Sequence, residues 1–296
     1  MSLVSFVKIQ KDQLKEAVQK SLEMIQFRVP NKVRNVIIKP NLCYYWDYST
    51  GQTTDPKFVA AIIDLIREKM SVNAEISIVE SDASAMKCKY AFKMLGYEKL
   101  SKGYNVKLIN LSEDKNDTIK VNVGLKSFSL RVPETIKKAE LRINVPKIKY
   151  TMEPIKLTCA LKNIFGCNPY PKKFQYHSRL EEAIVAINKA IKFDLCIIDG
   201  IIASGIQPRK LGLVMASQDQ VAIDAAAAEI AGINPQKIRY LKLAEKEGLG
   251  KTSFVPKGVP ISYLRARYPR KDAKTKLMNK AYTMLTYFGL NKKLGL

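Results

Sequence analysis

The chain is poor in histidine and cysteine. His177 is the only histidine among 296 residues, so a metal site made of several histidines from one chain is excluded. The five cysteines are widely spaced and include no Cys-x-x-Cys pair, which argues against a disulfide framework and predicts a reducing, cytoplasmic location. Neither a run of about 18 apolar residues nor a secretory signal pattern is present.

Acidic residues and the common nucleotide motifs are scarce as well. The chain has 27 Asp and Glu against 50 Lys and Arg, a net charge of +23. Such a field attracts nucleic acid, anionic membranes or small anions without choosing between them, and a simple basic surface is the alternative. Gly-x-Gly-x-x-Gly, the phosphate-binding P-loop and the serine-hydrolase elbow are all absent.

What the sequence does contain is an alternation of β-branched runs with amphipathic stretches. Strands at 35–39, 75–80 and 105–111 alternate with helices that begin at Asp55-Pro56 and cover 84–95, an order typical of a parallel sheet. Residues 118–132 predict an antiparallel hairpin that turns near Gly124. Further strands are predicted at 139–145, 194–199 and 211–216, and further helices at 11–26, 155–165, 179–191, 219–231 and 236–247.

The predicted fold is therefore α/β: a Rossmann-like, mainly parallel sheet flanked by helices, with an antiparallel hairpin addition. Residues 1–256 form the α/β domain, in two intimately packed halves of about 1–135 and 136–256. Residues 257–296 form a basic tail with ten basic side chains and one acidic one, and a helix is predicted over 272–289. That helix suits docking on the body, a membrane surface or a nucleic acid.

Polar side chains follow several predicted strands where the strands end. Lys39 and Asn41 follow one strand, Lys147 and Lys149 another, and Asp199 ends a third. Ligands of open α/β sheets bind beyond the carboxyl ends of the strands, so these residues are candidates for one cleft. The alternative interpretation is that the ends of strands are exposed to solvent, and that polar residues are common there for this reason.

The stretch 147–173 is rich in lysine and has Glu153 as its single acidic residue. Lys162 and Asn163 lie near the end of an otherwise apolar helix, where an unpaired buried charge is costly. The partner of Lys162 is either a carboxylate such as Asp199 or a bound anion. His177 follows the stretch and is a candidate proton carrier, although a lone histidine is more often a plain surface or core residue.

Two further groups are candidates. Thr53 and Thr54 precede the helix that begins at Asp55-Pro56, where hydroxyls and free N–H groups favour an anion, although capping alone explains the pattern. Asp224 lies among apolar residues of a predicted helix and must be paired, and a cleft lysine is one possible partner. Asp219 is predicted to cap that helix.

Six ordered motifs resemble one family, domain of unknown function 362. The similarity covers about residues 35–250 and rests on Val36-Ile37-Ile38-Lys39-Pro40-Asn41, Gly51-Gln52-Thr53-Thr54-Asp55-Pro56, Asn144-Val145-Pro146-Lys147-Ile148-Lys149, Ala160-Leu161-Lys162-Asn163-Ile164-Phe165-Gly166-Cys167 with Tyr176-His177, Ile198-Asp199-Gly200, and Ser217-Gln218-Asp219-Gln220-Val221-Ala222-Ile223-Asp224. The resemblance implies an α/β domain of unsettled activity. Members are often joined to four-iron–four-sulfur ferredoxin modules, and this chain has none.

These observations predict an enzyme-like protein that acts on an anionic small molecule, with no metal ligands assigned and an unknown cofactor. In this hypothesis Lys147, Lys162 and His177 are catalytic, and the ligand-binding set is Lys39, Asn41, Thr53, Thr54, Lys149, Asn163, Asp199 and Asp224. A second hypothesis is an iron–sulfur-associated redox protein with a ferredoxin-like partner. A third is a binder of RNA or anionic membranes through residues 257–296.

Overall fold

The computed structural model describes residues 1–11, 13–42, 44–69, 73–151, 155–205 and 207–269. The strands are β1 (Ser2–Lys8), β2 (Asn35–Pro40), β3 (Glu75–Glu80), β4 (Lys107–Asn110), β5 (Asn116–Val123), β6 (Lys126–Pro133), β7 (Leu141–Val145), β8 (Lys149–Tyr150), β9 (Leu157–Thr158), β10 (Leu195–Ala203), β11 (Arg209–Ser217) and β12 (Phe254–Gly258). The helices are α1 (Leu14–Met24), α2 (Pro56–Lys69), α3 (Cys88–Met94), α4 (Tyr97–Tyr104), α5 (Glu134–Lys138), α6 (Ala160–Phe165), α7 (Leu180–Ala190), α8 (Gln220–Ile230), α9 (Arg239–Lys246) and α10 (Ile261–Arg267).

One eight-stranded sheet runs through the described chain in the order β12-β1-β11-β10-β7-β2-β3-β4. The five strands from β10 to β4 are mutually parallel, as predicted, and β11 is antiparallel to both of its neighbours. Chain order reverses between β2 and β7, because β3 and β4 extend the sheet one way and β10 extends it the other. This is the switch point at which open α/β sheets bind ligands.

Helices cover both faces of the sheet, which explains why its central strands are continuously apolar. Along β2, Ile37 packs into a core that includes residues of α6, α7, α8 and α9. Its neighbours Val36 and Ile38 pack into the opposite core, which includes residues of α1, α2, α3 and α4. Side chains alternate across a strand, so a strand that is buried on both faces needs apolar residues at every position.

The predicted hairpin is present as β5 and β6, which form a two-stranded antiparallel sheet of their own. Its turn places Gly124 at φ +53°, a conformation that glycine adopts without strain. Phe128 and Leu130 of β6 are buried in the core on the α7 side of the main sheet. The hairpin therefore covers α7 and does not extend the edge of the eight-stranded sheet.

The predicted helix at 155–165 is shorter than expected. Leu157 and Thr158 pair with β8 as β9, and α6 begins only at Ala160. The backbone of Lys156 has φ +64°, which no α-helix accommodates. The buried carboxylate of Asp224 accepts hydrogen bonds from the backbone N–H groups of Ala160 and Leu161, and this fixes where the helix starts.

The beginning of the predicted tail packs onto the body. Residue 256, where the α/β domain was expected to end, lies within β12, which pairs in parallel with β1, a strand that the sequence did not predict. Beyond α10, the Tyr268 hydroxyl donates to the carbonyl of Ile148 at 2.9 Å, and its ring meets Tyr150 edge to face. The predicted helix at 272–289 lies outside the described residues. None of the helices within the described ranges is long and apolar enough to cross a membrane.

Asp219 caps α8, as its position before an apolar helix predicts. One carboxylate oxygen accepts from the backbone N–H groups of Val221 and Ala222 at 2.9 and 3.0 Å. The other accepts from the Ser2 hydroxyl at 2.6 Å and from the backbone N–H of Lys251 at 3.0 Å. One side chain thus joins α8 to the first strand and to the loop before β12.

We predict that Asp219→Ala lowers the free energy of unfolding by about 1–2 kcal/mol, because the helix loses its cap. Chemical denaturation followed by circular dichroism measures the change. Asp219→Asn is the matched control: it keeps a capping oxygen and should cost clearly less. Equal losses in the two variants would contradict the capping role.

Candidate functional site

A cleft of about 400 Å³ opens at the carboxyl ends of the parallel strands, at the switch point between β2 and β7. Side chains from β2, β3, β8, α6 and the segment after α6 line it. Its charged lining residues within the described chain are four lysines and one carboxylate: Lys39, Lys149, Lys162, Lys173 and Glu80. The volume lies in the range of small-molecule sites, about 300–1,000 Å³.

Lys39 and Glu80 form a buried ion pair at the floor of the cleft. The lysine ammonium lies 2.7 Å from a carboxylate oxygen of Glu80, and both side chains are almost fully buried. The ammonium also donates to the carbonyl of Pro40 at 2.7 Å. Gly166 allows this approach, since a Cβ there would lie 3.3 Å from the Lys39 nitrogen. The pair joins the ends of the neighbouring strands β2 and β3.

A second buried pair, Lys147 with Asp199, lies next to the cleft but does not line it. Their charged atoms are 3.1 Å apart, and each side chain is only 1% exposed. Asp199 also accepts from the backbone N–H of Asp55 at 2.9 Å, which ties the start of α2 to β10. Burial raises the pKa of Asp55, and the nearby Asp199 carboxylate adds to this effect.

Asn163 connects the strands to α6 through both ends of its side-chain amide. The amide nitrogen donates to the Asn144 side-chain oxygen at 2.7 Å and to the carbonyl of Lys39 at 3.2 Å. The amide oxygen accepts from the side-chain nitrogen of Asn41 at 3.1 Å. This network positions α6, and with it Lys162, against the end of β2.

The two predicted threonines are buried beside the cleft and do not line it. The Thr54 hydroxyl accepts from the backbone N–H of Asn41 at 2.9 Å and donates to the carbonyl of Val145 at 2.8 Å. It therefore joins the ends of β2 and β7. The Thr53 hydroxyl has no hydrogen-bond partner among the described residues.

Lys149 of β8 and Lys162 of α6 both line the cleft. The Lys149 ammonium donates to the carbonyl of Gln52 at 2.9 Å. The Lys162 ammonium donates to the hydroxyl of Thr158, one turn earlier, at 3.1 Å. Both of these acceptors are uncharged oxygens.

Lys173 is the cleft lysine that the sequence analysis did not single out. Its ammonium donates to the Ser81 hydroxyl at 2.5 Å, to the carbonyl of Asp82 at 3.0 Å and to the carbonyl of Gly166 at 3.3 Å. Burial lowers the pKa of Lys173 to about 8. The sequence signal that could have identified Lys173 is the lysine-rich stretch 147–173. The spacing of these lysines does not show which of them line a cleft.

His177 and Asp224 lie outside the cleft lining. His177 is exposed, and partial desolvation together with the charge of Lys162 lowers its pKa. Asp224 is fully buried, and its hydrogen bonds go to α6 and to Tyr240 rather than to a lysine. The expectation that Asp224 holds a cleft lysine is thus replaced by a capping role, and burial raises the pKa of its carboxyl to about 7.

The cysteines within the described residues behave as small buried side chains. Cys88, Cys159, Cys167 and Cys196 are buried and free. Burial raises the pKa of each thiol, to about 12 at Cys167, so they remain protonated. Over the described ranges, no group of three or more His, Cys, Asp and Glu is placed to hold a metal ion. Cys43 lies outside those ranges.

The structure therefore brings together part of the predicted set. Five of the predicted residues line the cleft: Lys39, Asn41, Lys149, Lys162 and Asn163. Thr54, Lys147 and Asp199 support the same strand ends from within the protein, and Thr53 is buried beside them. These features define an α/β protein with a lysine-lined cleft at the switch point of a Rossmann-like sheet.

Comparisons with known proteins place the chain in a family. The profile of the family described as Domain of unknown function (DUF362) matches residues 36–229, and the chain belongs to this family. It is 29% identical over 232 residues to the thylakoid-associated protein sll1697 of Synechocystis sp. (strain ATCC 27184 / PCC 6803 / Kazusa), covering 74% of this chain and 69% of that protein.

A solved structure of low similarity was also found. The apoprotein of lactate racemase from Thermoanaerobacterium thermosaccharolyticum has a TM-score of 0.47 and 11% identity to this chain. The match covers 79% of this chain and 58% of that structure, so the chain spans less than two thirds of its length.

We predict that Lys147→Met destabilises the protein by about 3–5 kcal/mol, because it leaves the carboxylate of Asp199 buried without its cation. Denaturant titration measures the loss. Adding Asp199→Asn to the same chain removes the uncompensated charge and should restore part of the stability. A double variant no more stable than Lys147→Met alone would contradict this account.

Asp224 predicts a pH dependence of stability. Its pKa is about 7 in the folded protein against about 3.8 ordinarily, so between these values the folded chain holds a proton that the unfolded chain releases. The free energy of unfolding should therefore fall as pH rises from about 4 to 7. Asp224→Asn should remove this component, and identical pH profiles for the two proteins would refute it.

Proposed function

We propose that this protein binds a small anionic molecule in the cleft between β2 and β7 and acts on it there. The observation that carries the proposal is the convergence of Lys39, Lys149, Lys162 and Lys173 on one cleft. Lysine ammonium groups bind phosphate and carboxylate as point charges. Four lysines against one carboxylate, that of Glu80, around a single cleft favour an anion over a neutral or cationic ligand.

The contacts of the lysines support two different roles, one in holding the strand ends and one in binding the ligand. Lys39 is neutralised by Glu80, and Lys147 by Asp199, so these two hold the strand ends in register. Lys149, Lys162 and Lys173 also donate to uncharged oxygens, and in this proposal their side chains contact the ligand, because all three line the cleft. In this proposal Lys147 supports the site and does not transfer a proton.

Asn41 adds a hydrogen-bond acceptor. Its side-chain oxygen is buried, lies at the cleft and has no hydrogen-bond partner among the described residues. Buried polar atoms in folded proteins are nearly always hydrogen-bonded to protein or to another molecule. A hydroxyl group of the ligand, or a protonated oxygen of the anion, would satisfy this atom. The ligand therefore carries a donor beside its negative charge.

His177 has a minor role in this proposal. It is exposed and does not line the cleft, but it lies close enough to Lys162 for that charge to lower its pKa. A neutral imidazole at physiological pH can accept a proton from a bound ligand only after a change of side-chain conformation. We therefore give it a secondary place behind the lysines that line the cleft.

Isothermal titration calorimetry with inorganic phosphate, and then with malonate, tests the proposal. The protein should bind at least one of them, and Lys162→Met should weaken that binding about tenfold, since a charge-assisted hydrogen bond contributes about 1.5–3 kcal/mol. Lys192→Met is the matched control: it removes the same charge from an exposed position before β10, at the opposite edge of the sheet. No binding of either anion, or equal effects of the two substitutions, would refute the proposal.

A further inference from the structure

The amine of Lys173 is held differently from that of Lys39. Lys39 makes an ion pair with Glu80 at 2.7 Å. Lys173 makes no ion pair with any described residue; its three hydrogen-bond acceptors are the hydroxyl of Ser81 and the carbonyls of Asp82 and Gly166. Among the described residues, no carboxylate therefore fixes the proton on its nitrogen, and the side chain lines the cleft.

The same three oxygens satisfy the amine in both of its protonation states. An ammonium has three N–H donors, one for each acceptor. A neutral amine has two N–H donors, which the carbonyls of Asp82 and Gly166 accept, and one lone pair. The Ser81 hydroxyl, which donates to the Gly166 carbonyl in the structure, can turn its hydrogen to that lone pair. Loss of the proton consequently leaves no buried group without a partner.

Burial of the amine, and not the charges around it, favours the neutral form of Lys173. Burial is the largest influence on its pKa, and the positive charge of Lys39 acts in the same direction. The carboxylate of Glu80, which is paired with Lys39, raises the pKa of Lys173 by more than Lys39 lowers it, but by less than burial does. The thiols of Cys88 and Cys167 also face the amine, and their raised pKa values keep them protonated. The Asp82 carboxylate is turned to Lys87.

We propose that Lys173 is a nucleophilic amine that forms an imine with the carbonyl carbon of an anionic ligand. The inference rests on the proposed function, because the other cleft lysines would hold the anionic group of the same molecule. An amine that is desolvated and lies near a second cationic group is the kind of lysine that reacts with carbonyl compounds. The ligand class is thereby narrowed to small carboxylates or phosphates that bear an aldehyde or ketone.

The step balances without any other reactant. The lone pair of neutral Lys173 adds to the carbonyl carbon, a C–N bond forms, and the carbonyl electrons move to oxygen, which takes up a proton. The nitrogen then releases its protons and the oxygen leaves as water, so the products are an imine and one water molecule. Ser81, within hydrogen-bond distance of the amine, is placed to pass a proton between nitrogen and oxygen.

The test is reductive trapping on the full, unmodified chain. Glyoxylate is the probe because it carries a carboxylate and an aldehyde, and sodium cyanoborohydride reduces any imine to a stable carboxymethyl-lysine. Peptide mass spectrometry after brief labelling at pH 7.5 compares Lys173 with Lys172, its exposed neighbour. We expect labelling at Lys173 to be about tenfold faster or more, since a pKa near 8 leaves far more neutral amine than the ordinary value of about 10.4.

The pH dependence of the labelling and its competition by phosphate are two further measurements that make the test specific for Lys173. Labelling of Lys173 should rise with pH to a midpoint near 8, whereas labelling of Lys172 should continue to rise towards pH 10. An excess of inorganic phosphate should slow labelling at Lys173 and leave Lys172 unaffected. Equal rates at the two lysines, or a midpoint near 10 at Lys173, would overturn the inference.

The two proposals fail in distinguishable ways. If the wild-type protein binds phosphate in the calorimeter but labels Lys173 no faster than Lys172, the imine inference is wrong and the anion site stands. If it binds neither phosphate nor malonate, the proposed function is refuted, and with it the basis of this inference. Selective labelling of Lys173 that is absent in Lys173→Met, with Lys172 still modified, supports both.

Discussion

Burying a lysine ammonium at the end of a strand is the constraint on which this structure depends. A charge removed from water is costly unless a counter-charge and hydrogen bonds replace the lost hydration. Lys39 meets this requirement with Glu80 and Lys147 with Asp199, and each pair links two strands of the parallel sheet. The pairs lie on either side of the point where the strand order reverses. The ends of β2, β3, β7 and β10 are held together there by charge as well as by backbone hydrogen bonds.

The other lysines of this region lie around the strand ends that the two buried ion pairs hold together. Besides Lys39, three lysines line the cleft at these strand ends: Lys149, Lys162 and Lys173. Lys149 lies in β8, Lys162 in α6 and Lys173 after α6, and Asn163 joins α6 to the end of β2. Lysines of buried ion pairs and lysines that line the cleft thus look alike in the sequence.

The sequence predicted the parallel sheet and most of its strands because each β-branched run is buried on both faces and carries its own signal. It missed β1, whose pairing with β11 and β12 joins the two ends of the described chain. It also extended α6 too far towards the N-terminus, because the apolar spacing of Ile155 and Leu157 suits a helix as well as a short strand. Five of the predicted site residues line the cleft, whereas Lys173 was overlooked and Asp224 was given a partner it does not have.

What the amino-acid sequence determined by itself is the α/β class and the presence of lysines where the strands end, since both follow from local patterns of apolar and polar residues. What only the tertiary structure decided is the partner of each lysine. Lys39 and Glu80 are 41 residues apart, and Asp224 reaches α6 across more than 60 residues. Such contacts depend on the order of strands in the sheet and on the depth of burial. Nothing in the spacing of charges distinguishes a lysine of a buried ion pair from one that lines the cleft.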